Sequence, residues 1–131
     1  YVLGIKDRHN GNVMIDREGH VIHIDFGFVF GLAPGKAFSL EKAPWKLTKE
    51  LADVFGGPKS AYYLEFENRC AQALLVARRH VKQVKTLMEI MTFHSSFPAF
   101  KYNANAIRDF EKRLFLDMPD QAIRLQVNKM M

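Results

Sequence analysis

The amino-acid sequence predicts an α+β fold in which most of the chain is helical and one β-hairpin lies near the N-terminus. Two observations carry this. Apolar residues alternate with a period of two across residues 13–24, around a polar turn; from Thr48 onward they recur at three- and four-residue spacing between capping residues. Length sets a bound: 131 residues, 48% of them hydrophobic, suffice for one core, so the chain is read as one domain or part of one.

In chain order, Val13-Met14-Ile15-Asp16 reads as a strand, Arg17-Glu18-Gly19 as a tight turn with glycine supplying positive φ, and His20 to Ile24 as the return strand. A hairpin brings its outer ends together, so Asn12 and Asp25 are expected side by side. Alternation assigns Val21, His23 and Asp25 to one face and Ile22, Ile24 and Phe26 to the other. Asn10-Gly11 adds a turn before the first strand. Phe28 to about Thr48 is rich in Gly, Pro and Lys without periodicity and reads as a loop.

Thr48 then caps a helix over Lys49 to Phe55, with Gly56 just past its end. Ser60 caps a long helix through about Arg79, with Tyr63, Phe66, Cys70, Ala73, Leu74 and Ala77 at helical spacing. A helix over about Val81 to Phe93 is expected to bury Val84, Leu87, Met88 and Met91. His94 to Tyr102 reads as a loop, with Phe97 and Phe100 tucked around Pro98. Asn103 or Asn105 starts a helix to about Leu114, and Asp117 caps a last one with Pro119 in its first turn. The Met and Phe stripes read as core.

Composition removes several function classes. The single cysteine, Cys70, excludes an internal disulfide and suits a reducing compartment. No apolar run approaches the roughly 18 residues of a membrane span, and no signal peptide is visible. A net charge of +5 favours a surface that meets anions. Arg78-Arg79-His80, with Lys82 and Lys85, reads as a solvated helix face. His20 and His23 fall on opposite strand faces without cysteine partners, which argues against zinc. His23 is expected to be a buried, hydrogen-bonded support for the turn after it.

The chemistry lies in K-D-R-H-N-G-N (Lys6 to Asn12) and H-I-D-F-G (His23 to Gly27). Asp7 and Asn12 are five positions apart, as Asp and Asn are in the protein-kinase pattern H-R-D-x-x-x-x-N, and D-F-G follows. A γ-phosphoryl group carries several negative charges and needs a divalent cation to neutralise them. Magnesium takes a few hard oxygen ligands and keeps several waters, so one carboxylate and one amide oxygen suffice. Asp25 and Asn12 are the candidates. Asp7 and His9 are the candidates to orient the attacking hydroxyl or take its proton; His9 is either the base or a brace for the loop. Arg8 reads as a structural charge holding the loop.

D-R-H in place of H-R-D resembles the phosphoinositide kinases and their protein-kinase relatives. K-D-R-H-N-G-N followed by H-I-D-F-G-F is most similar to the type III phosphatidylinositol 4-kinases, and P-W-K-L-T-K-E-L (Pro44 to Leu51) with Gly56-Gly57 fits the same group. The resemblance implies a mostly helical C-terminal lobe of a protein-kinase-like fold, with the hairpin carrying the catalytic and D-F-G segments. It implies transfer of the ATP γ-phosphate to an inositol hydroxyl of phosphatidylinositol, at the 4-position; a 3-kinase or related protein kinase and a non-catalytic scaffold are the alternatives. By the same resemblance Asp7 and His9 belong to the catalytic loop, and Asn12 and Asp25 bind Mg²⁺, with Mn²⁺ as a substitute. Lys6 and Ile24 join them in contacting ATP, and Phe28 to about Thr48 form the activation loop.

The lysines of that loop, Lys36, Lys42 and Lys46, are scattered, where members of the resembled family that accept phosphorylated lipids carry a denser basic cluster, so the resemblance implies a headgroup without extra phosphates. Trp45 and Phe38 either press into the lipid interface or anchor the loop. The implied setting is cytoplasmic and peripheral at membranes, with phosphatidylinositol as partner and no nucleic acid. The chain starts at Tyr1, and it contains neither a Gly-rich phosphate loop nor a V-A-I-K-like strand. It is therefore expected to need an N-terminal lobe from the same parent protein and to be inactive alone.

Overall fold

Hairpin and helices form in the expected order. The computed structural model describes residues 1–35, 41, 43 and 45–131. Strands β1 (Val13–Ile15) and β2 (Val21–His23) pair antiparallel, with Val13 opposite His23 and Ile15 opposite Val21. Asp16 holds the connection together: its Oδ1 accepts the N–H groups of Glu18 and His20, each at 2.9 Å, and its Oδ2 lies 2.9 Å from His20 Nδ1. The His20 N–H, followed by the His20 ring, keeps this carboxyl below its ordinary pKa. Gly19 takes φ 88°, the left-handed value the turn requires.

The extended backbone stops sooner than alternation predicts. Asp25 has φ 57°, so Asp25 and Phe26 do not continue the two faces of β2. The hairpin also stands off the core, with Met14, Ile15, Val21 and Ile22 all exposed. His23 is exposed as well and is not the buried support expected of it.

Six helices follow among the described residues. Helix α1 (Lys49–Val54) is capped by Thr48, whose Oγ1 accepts the Leu51 N–H, and α2 (Ala61–Arg79) by Ser60, whose Oγ accepts the Tyr63 N–H at 3.0 Å. Both caps were expected. Along α2, Tyr63 and Leu74 are buried, Phe66, Cys70 and Ala77 are half-buried, and Ala73 is exposed. Burial pushes the Cys70 thiol pKa up, which keeps it protonated.

Helix α3 (Val81–Thr92) meets the core along the narrow line Val81, Val84 and Met88. Leu87 and Met91 are 60% and 53% exposed, against the expectation that they are buried. The stretch expected as a loop contains a short helix, α4 (Pro98–Tyr102), with Pro98 at its first turn, where a missing N–H costs nothing. Phe97 and Phe100 do tuck in, Phe100 stacking on Phe30 at 5.2 Å.

Helix α5 (Ala106–Arg113) starts after Asn105, as expected. Helix α6 (Asp120–Met130) begins after Pro119, two residues later than a cap at Asp117 implies; Asp120 supplies the acidic charge of its first turn. Helix α2 packs along α6, and α3 against α5, over a core that includes Phe110, Leu114, Ile123 and Val127, all fully buried. Each of these contributes on the order of 1.5–3 kcal/mol through burial.

The basic run at the end of α2 is not simply a solvated face. Arg78 donates to the carbonyls of Leu114 (2.8 Å), Phe115 and Met118 (2.5 Å), and its Nε lies 3.2 Å from the Asp120 carboxylate. It thereby satisfies carbonyls left open where α5 ends. Lys85 pairs with Glu111 at 2.8 Å. No described helix is long and apolar enough to cross a membrane.

Candidate active site

Residues 3–6 and 28–31 run side by side, joined by Lys6 N–H to Phe28 O (2.8 Å), Phe30 N–H to Leu3 O (2.8 Å) and Gly31 N–H to Gly4 O (3.2 Å). This pairing brings the K-D-R-H and D-F-G segments into one neighbourhood. Arg113 of α5 lies over the seam. A Cβ on either Gly4 or Gly31 would come within 2.6 Å of its guanidinium, and the left-handed backbone at both (φ 57° and 86°) strains any other residue there. Burial lowers the Arg113 pKa, and its Nη1 is buried without a hydrogen-bond partner among the described residues.

Arg8 organises the centre. It is 8% exposed. Its Nε donates to Lys6 O at 2.8 Å, Nη1 to Asn12 O at 3.2 Å and Ile24 O at 2.7 Å, and Nη2 to Asp25 O at 2.5 Å. The Phe26 ring covers it at 5.9 Å. One guanidinium therefore gathers main-chain oxygens from both motifs, and the Ile24 N–H to Asn12 O bond (3.2 Å) closes the open end of the hairpin. Arg8 fits the structural part expected of it.

Asp7 and Asp25 both adopt left-handed backbone, φ 61° and 57°. Such values are uncommon outside glycine, and Asp tolerates them better than most residues. Asn12, 7% exposed, donates its Nδ2 to Asp7 O at 2.9 Å, which leaves its Oδ1 as the atom available to a ligand. Asp25 Oδ1 accepts the Gly27 N–H at 3.2 Å. Carboxylate and amide oxygens of this kind fit a hard cation that keeps most of its water.

His9 caps a 3₁₀ turn at Asn10–Asn12: its Nδ1 accepts the Gly11 N–H at 3.1 Å. A neutral ring in that role carries its proton on Nε2, which lies 4.0 Å from Asp7 Oδ2. In this arrangement His9 offers a proton, while the Asp7 carboxylate offers lone pairs.

Lys6 Nζ donates to the carbonyls of Ala43 (2.8 Å) and Glu41 (3.3 Å), and Lys46 Nζ donates to Arg8 O. Ile24 is exposed beside these groups. Trp45 packs its ring 5.4 Å from that of Tyr1, the anchoring arrangement. Lys36, Lys42 and Phe38 lie outside the described residues. Sequence reasoning missed Glu41, whose Oε2 accepts the Asp7 N–H at 2.9 Å, and Arg113; nothing local marks either, since their partners are 34 and about 80–110 positions away.

Comparison with known proteins decides the family. Residues 1–101 match the family described as phosphatidylinositol 3- and 4-kinase. The chain belongs to that family. It is 44% identical to a phosphatidylinositol 4-kinase of Dictyostelium discoideum over 92% of its own length, and 44% identical to phosphatidylinositol 4-kinase PIK1a of Candida albicans over 94%. To phosphatidylinositol 4-kinase beta of Mus musculus it is 38% identical over 99%. The chain spans 10%, 13% and 16% of these three relatives.

Proposed function

We propose that this chain is the C-terminal lobe of a lipid-kinase catalytic domain, working within a larger protein that phosphorylates phosphatidylinositol at the 4-position of its inositol ring. The observation that carries the reaction class is the gathering of the Asn12 and Asp25 main chains on one buried guanidinium, Arg8. The choice of lipid and ring position rests on the printed names of the relatives, all three of them 4-kinases. Their greater length supports a kinase completed by a second lobe. The exposed apolar hairpin, with Met14, Ile22 and Ile24, is the surface we assign to the nucleotide and that lobe.

Asn12 Oδ1 and the Asp25 carboxylate would hold Mg²⁺ or Mn²⁺, which when bound neutralises charge on the ATP phosphates. The Asp7 carboxylate orients the inositol hydroxyl and accepts its proton, because its oxygens have, among the described residues, only His9 Nε2 nearby, at 4.0 Å, where His9 Nδ1 is engaged by a hydrogen bond. His9 Nε2–H then faces the reacting oxygens as a donor. Lys36, Lys42 and Lys46 meet the headgroup at a cytoplasmic membrane surface, where the parent protein binds peripherally.

Incubating the full-length protein with phosphatidylinositol vesicles, ATP and Mg²⁺ is expected to yield the 4-phosphate as the dominant positional isomer. Production of the 3-phosphate instead, or phosphorylation of protein and not lipid, would refute the assignment.

A further inference from the structure

We propose that Glu41 is a positioning residue that holds the Asp7 backbone for turnover; this rests on the lipid-kinase reading above. Asp7 sits in a sparsely populated backbone conformation, φ 61°. Such a conformation persists where surrounding groups over-determine it. Both main-chain polar groups of Asp7 are held by side chains: its N–H by Glu41 Oε2 at 2.9 Å and its C=O by Asn12 Nδ2 at 2.9 Å. Asn12 comes from the catalytic loop itself. Glu41 comes from 34 residues further on, so one of the two bonds fixing Asp7 is a long-range contact.

Two lysines fasten the same contact from the other side. Lys6 Nζ reaches the carbonyls of Glu41 (3.3 Å) and Ala43 (2.8 Å), and Lys46 Nζ reaches Arg8 O. Residues 6, 7 and 8 thus each receive or make a contact with Glu41, Ala43 or Lys46. A carboxylate accepting a main-chain N–H is a charge-assisted bond, stronger than an amide oxygen makes in the same place. Releasing it frees the Asp7 backbone to relax toward ordinary φ values and turns its carboxylate off the line to the attacking hydroxyl. Glu41 acts through Asp7 and does not itself touch the reacting atoms.

The test uses the full-length protein on phosphatidylinositol vesicles, with Glu41→Ala, Glu41→Gln and Glu41→Asp. Misplacing a reacting group by about 1 Å costs on the order of 10²-fold, so Glu41→Ala is expected to lower kcat roughly 10- to 100-fold. The KM for ATP and the unfolding temperature should stay near those of wild type. Glu41→Gln keeps an oxygen that accepts the same N–H and is expected to restore kcat to within a few-fold. Glu41→Asp, one methylene short of the bond, should behave like Ala. An Ala variant with unchanged kcat, or a Gln variant as impaired as Ala, overturns the assignment. A wild-type protein without lipid-kinase activity overturns the kinase reading and this one with it; an active wild type with an unaffected Ala variant overturns this one alone.

Discussion

Replacing Asp25 by Asn in the full-length protein is expected to lower lipid phosphorylation by roughly a thousandfold while leaving the fold intact. The size follows from the several kcal/mol that a cation contributes to stabilising transition-state charge, each 1.36 kcal/mol being tenfold in rate. The fold should survive because Asn reproduces what the rest of the structure uses. The bond to Arg8 comes from the main-chain oxygen of residue 25, and an Asn side-chain oxygen still accepts the Gly27 N–H. Asn also tolerates the left-handed backbone at φ 57°. Assay of turnover beside thermal unfolding separates the two effects. Turnover within about tenfold of wild type would mean that Asp25 does not ligate a catalytic cation.

Replacing Arg8 by Met has the largest expected effect on stability. The guanidinium satisfies carbonyls of Lys6, Asn12, Ile24 and Asp25 from a position only 8% exposed. Removing it takes a donor from all four carbonyls; Asn12 O keeps the Ile24 N–H, and the other three lose the partner that joins the two motifs. Each such acceptor costs about 1–3 kcal/mol, and partial rehydration reduces the total, so a loss of at least about 3 kcal/mol is expected. Activity should vanish with it, because the two motifs lose their common anchor. Arg8→Lys supplies a point charge without the fork and is expected to recover only part of the stability. Denaturant unfolding measures both. A loss below about 1 kcal/mol for the Met variant would show that the carbonyls find other partners.

Local signals in the sequence carried the helices and the hairpin. Ser60, Thr48 and Asn105 precede periodic runs and stand before helices in the structure; Gly19 sits where the turn needs it. Long-range packing decided the rest. Leu87 and Met91 have core chemistry and helical spacing, yet α3 meets the core along another line. Pro98 looks like a breaker within an aromatic stretch, but at a first helical turn it starts a helix. His23 continues an alternation that Asp25 ends two residues later. Arg78 reads as one charge of a basic run, and only the folded chain shows the carbonyls of residues 114, 115 and 118 converging on it.

The candidate site divides in the same way. The residue types and spacing of Asp7, His9, Asn12 and Asp25 are visible in the sequence because their chemistry demands them. The groups that hold them are less visible. Arg8 could be read as a structural charge, though not which four carbonyls it would gather. Glu41 reaches Asp7 across 34 positions, and Arg113 reaches Gly31 and Gly4 across more than 80, with no motif around either to mark them.

The most direct test of the central claim is a double-mutant cycle on Mn²⁺ binding to the ATP-loaded full-length protein, followed by electron paramagnetic resonance. If Asn12 and Asp25 hold one cation, Asn12→Ala and Asp25→Asn should each weaken Mn²⁺ binding by about tenfold or more, given that even outer partners of a metal site cost 10- to 100-fold. The double variant should then be less impaired than the product of the two singles, as expected for residues sharing one ligand. Strictly additive losses, or Mn²⁺ affinity unchanged by either substitution, would contradict the account.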